Sequence, residues 1–175
     1  MSNDPLAIIF VSNGPGELAT WVKPLARELH KQISLRPKAQ KSLISLDLVL
    51  VPCPNATGNE NFVAKKWLLF ESIVNAKNFW KLLIKPKKFV SWPSKGLVIF
   101  LGGDQFWSVL LSARLGYLHM TYAEWIARWP FWNNRIVVMS ERIVDKLPKR
   151  IQPRCSVIGD LTADLTETAK IDNPL

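Results

Sequence analysis

Six short apolar runs punctuate the chain and predict its strands. Leu6–Val11 reads LAIIFV, with no alternation and β-branched content, the pattern of a strand buried on both faces of a parallel sheet. Asn13-Gly14-Pro15-Gly16 breaks it. A helical pattern follows to about Gln32, with Trp21, Leu25, Ala26 and Leu29 on one face; Pro24 must lie near its start or kink it. Leu46–Val51 is a second strand, closed by Pro52-Cys53-Pro54. Asn61 to Lys85 reads as one helix, with Leu69, Ile73, Ala76, Trp80 and Leu83 as its apolar stripe. Gly96–Leu101 is a third strand, running into Gly102-Gly103-Asp104, and Gln105–Leu115 is a helix. Tyr117–Tyr122, Arg135–Met139 and Ser156–Gly159 complete the strands.

Strands alternating with helices imply right-handed βαβ units. The expected fold is α/β, a Rossmann-like parallel sheet with helices on both faces. One domain is expected over residues 1–165. Residues 166–175 read as the start of a linker to a second domain absent from the chain. Residues 34–45 are basic and polar and predict an exposed loop. The 48% apolar and 21% charged content excludes a disordered chain. No apolar run reaches the roughly 20 residues of a spanning helix, and the polar N-terminus lacks a secretory pattern. A cytoplasmic protein is expected, peripheral at the inner face of a membrane for the reasons below. Cys53 and Cys155 stand in no metal or redox spacing and are expected to be reduced.

The net charge of +9 is regional. Residues 62–100 carry eight Lys against one Glu, and residues 23–41 carry six basic groups against one acidic. The remaining 117 residues sum to −3. Such a bias attracts phosphate-bearing partners. Nucleic acid is disfavoured, because no reading motif accompanies the charge. Within residues 64–93, Trp67, Phe70, Phe79, Trp80 and Trp92 mix with lysines, and Lys77, Lys81, Lys85 and Lys88 follow helical spacing. Aromatic residues beside lysines suit a helix in a membrane interface. Lys77, Trp80, Lys81, Lys85, Lys87 and Lys88 are the candidate contacts with an anionic membrane surface; a solvated lysine face is the alternative.

Ligands of open parallel sheets bind beyond the carboxyl ends of the strands. Gly14-Pro15-Gly16-Glu17-Leu18-Ala19 formally matches G-x-G-x-x-G/A. However, Pro15 removes an amide and Glu17 puts negative charge where a pyrophosphate would lie. No acidic residue ends the second strand. A nucleotide-binding oxidoreductase is therefore disfavoured, leaving a plain turn or a turn that shapes a sugar or lipid pocket. Asp104 is either a general base or the cap of the helix after it. His30 and His119 are expected to be a surface helix residue and a strand residue, without a catalytic role. Trp125, Trp129 and Trp132, with Arg128 and Arg135, could stack on a sugar ring or an acyl chain, or simply pack a loop.

Four segments, VSNGPGEL (11–18), VIFLGGDQF (98–106), LHMTYAEWIARW (118–129) and VIGDLTADL (157–165), occur in an order that resembles the lipid-A-disaccharide synthase family. Those enzymes are glycosyltransferases with two Rossmann-like domains facing a cleft, the GT-B fold. The first domain handles a phosphorylated acylglucosamine acceptor and the second binds a UDP-sugar donor. The resemblance covers the family's first domain. Gly16 and Glu17 stand for the last Gly and Asp of its early A-G-E-A-S-G-D turn. Gly103, Asp104 and Phe106 match its G-I-D-x-P-D-F segment, with one Asp where the family has two. Trp125 and Arg128 echo its Y-V-S-P-x-x-W-A-W-R in shifted spacing, and Asp160 replaces the His of its V-G-H-P-L-x-D.

The resemblance implies the acceptor-side half of a glycosyltransferase. Asp104 and Glu17 are its catalytic candidates. Asn13, Gly14, Gly16, Gly103, Trp125 and Arg128 are its substrate-binding candidates. The expected partners are a glycolipid acceptor, an anionic membrane surface and, through the absent second domain only, a UDP-sugar donor. The chain alone is expected to be inactive, and neither a cofactor nor a metal is expected. The alternative from another class is a non-catalytic basic module that binds membrane surfaces.

Overall fold

The computed structural model describes residues 4–12, 14–54, 56–102 and 104–162. Strand β1 (Leu6–Ser12) leads into α1 (Pro15–Glu17), a π-helical segment (Leu18–Val22) and α2 (Lys23–Ser34). Then come α3 (Lys38–Lys41), β2 (Ile44–Leu50), α4 (Glu60–Lys65), β3 (Ser72–Val74), a 3₁₀ turn (Ala76–Asn78), α5 (Phe79–Ile84) and α6 (Pro86–Phe89). Strand β4 (Lys95–Phe100) is followed by α7 (Gln105–Leu115), β5 (Leu118–Ala123) and a 3₁₀ turn (Pro130–Trp132). The chain continues through β6 (Arg135–Val138), α8 (Glu141–Asp145), a 3₁₀ turn (Gln152–Arg154) and β7 (Cys155–Val157).

All seven strands are parallel, in the order β3-β2-β1-β4-β5-β6-β7. The expected α/β, Rossmann-like sheet is therefore present. Strand order reverses between β1 and β4, where Phe10 stands beside both Leu48 and Ile99. Each buried strand feeds two cores, because successive side chains point to opposite faces. Ile9, Val11, Val49 and Val98 meet Phe79, Leu82 and Leu111 on one face. Phe10, Leu48, Leu50 and Ile99 meet Leu18, Val22, Ala26 and Ala64 on the other. Trp21, Leu25, Ala26 and Leu29 all pack on this second core, as the helical spacing predicts. Pro24 sits at the second position of α2, directly after the π-helical segment. A wider turn there accommodates a residue that has no N–H to donate.

The single helix expected over Asn61–Lys85 does not form. Leu68 adopts φ +55° and ends the first part. Ser72-Ile73-Val74 instead pairs with Asp47-Leu48-Val49 as strand β3. Ile73 and Val74 feed opposite cores, which only a strand permits. Cross-strand pairing at the sheet edge thus outweighs a local pattern that suits either element. The lysine edge dissolves with the helix. Lys77 lies in the 3₁₀ turn, Lys81 in α5, Lys85 at a non-helical junction (φ −134°, ψ 66°), and Lys87 and Lys88 in α6. Trp80 is not a core residue but 53% exposed.

Gly96 on β4 is buried because the Tyr117 ring lies on it: a Cβ there would come 2.1 Å from Tyr117 Cε2. The ring cannot swing aside freely, since its hydroxyl donates to the Pro93 carbonyl. Gly96→Ala is therefore expected to lower stability by about 1–3 kcal/mol, the usual cost of overpacking. Urea denaturation checks this; an unchanged midpoint would show that Tyr117 yields at no cost.

Candidate functional site

The reversal of strand order opens a crevice beyond Ser12 and Leu101, where open α/β sheets take their ligands. Glu17 occupies it. A Cβ on Gly14 would lie 2.1 Å from Glu17 Oε2, so the carboxylate folds back over the turn after β1. Gly102, at the end of β4, approaches the same side chain. Its Cβ would come 2.6 Å from Glu17 Cγ and 2.5 Å from Trp21 Cζ3. Gly102 also has φ +140°, so both its conformation and its neighbours demand glycine. Gly14 and Gly102 thus serve close packing around Glu17. The carboxylate lies over the glycine turn after β1, where its negative charge disfavours a pyrophosphate.

Two more carboxylates converge on the crevice. Glu124 follows β5 and Asp160 follows β7. Burial raises the Glu124 carboxyl above its ordinary range, and the negative charges of Asp160 and Glu17 add to that rise. Asp160 titrates below its ordinary value, because its Oδ1 accepts from Thr162 N–H (2.8 Å) and the Thr162 hydroxyl (2.7 Å). Tyr122 ties this segment down: its hydroxyl donates to the Gly159 carbonyl (3.1 Å) and accepts from Leu161 N–H (3.3 Å). The Tyr122 ring meets Trp21 edge-on at 6.1 Å. Ser12 Oγ and Trp21 Nε1 are buried without a protein hydrogen-bond partner. The sequence argument missed Trp21, Glu124 and Tyr122 as site residues. Tyr122 and Glu124 stand at the end of β5, a signal the sequence offered, whereas Trp21 lies in the π-helical segment and only packing brings it here.

Asp104 is the N-cap of α7, and its Oδ1 accepts from Phe106 N–H at 3.1 Å. The capping role is thus present, and the carboxylate stays exposed for a second one. Gly16 is exposed within α1, with its carbonyl accepting from the Thr20 hydroxyl (2.8 Å). Asn13 and Gly103, both substrate-binding candidates, lie outside the described residues, as do residues 166–175 of the expected linker.

Trp125 and Arg128 are exposed on the segment that leaves Glu124. That segment belongs to an aromatic band. Trp129 meets Phe106 (6.1 Å), Phe106 meets Trp107 (5.2 Å), and Trp107 meets Trp80 (5.2 Å). Phe131 lies under the Arg150 guanidinium at 4.4 Å, and Trp132 is also exposed. A buried polar chain anchors the band from below. Gln105 Nε2 donates to Thr121 Oγ1 (2.8 Å), Thr121 donates to Asn133 Oδ1 (2.7 Å), and Asn133 Nδ2 donates to the Trp129 carbonyl (3.0 Å). Beside it His119 is buried, with Nε2 2.9 Å from Ser108 Oγ and Nδ1 unpartnered. Burial pushes its imidazole down to about 4, and the neighbouring Asn133 side chain offsets part of that fall. The ring is therefore neutral at pH 7 and serves the fold. His30 is exposed on α2.

One strand over, a cleft of about 430 Å³ lies beyond β2 and β3, lined by Cys53, Thr57, Asn61, Asn75 and Lys77 among others. Glu60 shapes its rim by accepting from Thr57 N–H (2.6 Å) and the Thr57 hydroxyl (2.9 Å). Burial pushes the Glu60 carboxyl up, but hydrogen bonds from its own N–H and from Thr57 outweigh this, and it titrates below its usual value. Thr57 stands two residues before Asn59, the N-cap of α4, so these bonds brace the turn that enters the helix. Cys53 and Cys155 are not joined to each other by a disulfide. Among the described residues, no group of three or more His, Cys, Asp or Glu is placed to hold a metal ion. Among them also, no helix is long and apolar enough to cross a membrane.

Fold and crevice define the class: a Rossmann-like parallel α/β domain with a carboxylate-lined crevice at its switch point. The chain matches no protein-family model and no curated protein sequence.

Proposed function

We propose that this domain is the acceptor-side half of a glycosyltransferase resembling lipid-A-disaccharide synthase, acting on a glycolipid at an anionic membrane surface. The observation that carries the reading is Glu17 held over Gly14 and Gly102 at the switch point. Its carboxylate stands where the ligand of such a sheet lies. Glu17, Glu124 and Asp160 accept hydrogen bonds from hydroxyls and repel phosphate, so the crevice takes the hydroxyl-bearing part of an acceptor. In transfer, the acceptor oxygen attacks the anomeric carbon of a UDP-sugar held by a second domain. The hydroxyl proton passes to the base, and the anomeric C–O bond breaks with its electron pair leaving on UDP. Glu17 is the first candidate for the base. Asp104 is the second, because one of its oxygens already caps α7.

The band of Trp80, Trp107, Phe106 and Trp129, with Lys77 and Lys81 near Trp80 in sequence, supports the membrane part of the reading. Tryptophans with lysines suit the headgroup level of a bilayer.

Titration of the chain with a phosphorylated acylglucosamine in detergent micelles tests the acceptor assignment. The amide resonances of Gly14, Gly16 and Gly102 are expected to shift and saturate, while a nicotinamide dinucleotide leaves them unmoved. Shifts with the dinucleotide alone would overturn the reading.

A further inference from the structure

At the opposite end of the sheet lies a second concentration of charge that the crevice does not use. A cleft of about 290 Å³ is lined by Lys85, Pro86, Lys87, Lys88 and Arg114. It adjoins one of about 490 Å³ that shares Pro86, Lys87 and Arg114 and extends to Trp92, Ser94 and Tyr117. Among the described residues, no carboxylate lines either one. The ion pairs among the described residues are Lys31–Glu28 and Lys95–Asp4, so none of the four cations is neutralised by such a pair.

Arg114 is held in place rather than loose. Its Nε donates to the Leu83 carbonyl (2.7 Å) and its Nη2 to the Ile84 carbonyl (3.2 Å), both at the end of α5. Arg114 is exposed, so its remaining guanidinium N–H groups can reach a ligand. A fixed planar fork matches the oxygens of a phosphate, and lysines around it supply further charge. Holding the fork in advance reduces the ordering cost of binding. Two exposed apolar residues, Ile84 and Phe89, flank the lysines in sequence. This cleft lies at the last turn of α7, whereas Asp104 caps its first, and an 11-residue helix is about 16 Å long. One phosphate therefore cannot serve both ends.

We propose that the Lys85/Lys87/Lys88/Arg114 cleft is a binding site for a phosphate group, carried by an anionic lipid headgroup or by a soluble phosphate compound. The site stands independently of the transferase reading. It deepens the membrane reading by adding a phosphate grip to the aromatic band.

The test uses the full chain with two probes. Inorganic phosphate is titrated at constant ionic strength while the Arg114 Nε–H resonance is followed. Co-sedimentation is measured with phosphatidylcholine vesicles, with and without phosphatidic acid. Phosphate is expected to shift the resonance saturably where chloride does not. The Lys85→Gln/Lys87→Gln/Lys88→Gln variant is expected to bind the phosphatidic acid vesicles about a hundredfold more weakly, the combined effect of three lysines at an anionic surface. A charge-matched control, Lys31→Gln/Lys38→Gln/Lys41→Gln, is expected to keep most of the binding. Arg114→Lys preserves charge and removes the fork, so it should lose the preference for phosphate over chloride. Because Arg114 also closes α5, circular dichroism accompanies that variant, and the lysine variant decides if it unfolds. Saturable phosphate binding without vesicle binding supports the site and assigns it to a soluble ligand. Absence of saturable phosphate binding, with vesicle binding equal in the two triple variants, overturns the proposal. Vesicle binding that survives in that case leaves the membrane reading standing without the cleft.

Discussion

Glu17→Gln, introduced into an enzyme that also carries the donor domain, is expected to lower kcat by about 10²–10⁴-fold, the usual cost of losing a general base. The fold should not suffer. The amide has nearly the shape of the carboxylate, so the packing against Gly14, Gly102 and Trp21 survives. Removing one of the charges facing Glu124 also relieves repulsion and should let the Glu124 carboxyl titrate nearer its ordinary value. Asp104 provides the comparison. Asn caps helices as well as Asp, so Asp104→Asn keeps α7, whereas Asp104→Ala costs about 1 kcal/mol. If Asp104→Asn abolishes turnover and Glu17→Gln does not, the roles are reversed. If neither variant loses activity, the crevice carboxylates bind rather than catalyse. Steady-state kinetics with thermal denaturation of each variant separates these outcomes.

The second large effect is on acid stability. His119 titrates at about 4 in the folded protein, against an ordinary value of 6.5. Between these values the unfolded chain holds a proton that the folded protein does not. Stability is therefore full above pH 6.5, falls as pH drops below it, and stops falling near pH 4, where the folded form is protonated too. The total loss from this residue is about 3 kcal/mol. His119→Gln keeps a hydrogen-bonding group near Ser108 but does not titrate, so it should flatten this limb. Urea denaturation of both proteins between pH 7 and pH 4 measures the difference. Subtraction removes contributions common to both, such as that of Glu60, whose stabilisation is lost as pH falls through its depressed folded value. Parallel curves for the two proteins would show that the buried imidazole is not the acid-sensitive group.

Much of the architecture follows from local pattern alone. Continuous apolar runs such as Leu6–Val11 and Gly96–Leu101 belong to strands covered on both faces, and Gln105–Leu115 forms the helix its sequence predicts. Such runs have one low-energy solution, because apolar side chains on both faces of a strand must be covered by other elements. Pro15 and Glu17 disfavour a dinucleotide site by residue type alone, since one lacks an amide and the other carries negative charge. The segment 61–85 was not legible. Its apolar positions fit a helical stripe, yet Ile73 and Val74 join a sheet edge supplied by β2, a partner about 25 residues away. Local periodicity does not report whether an open edge is waiting.

The site divides along the same line. Residue type and position at strand ends identify Glu17 and Asp104 as chemistry-bearing groups from the sequence alone. The meeting of Glu17 with Trp21, Glu124 and Asp160 depends on strand order, while Asp104 stays at the cap of α7. The sheet places β4 beside β1, and β5 to β7 beyond it, so residues far apart in the chain converge on one crevice. The lysines show the same limit. Their number fixes the charge of residues 62–100, but only the break at Pro86 and the two hydrogen bonds from Arg114 gather Lys85, Lys87 and Lys88 around a cleft. Charge is a property of composition, whereas a site requires directions, and those come from packing.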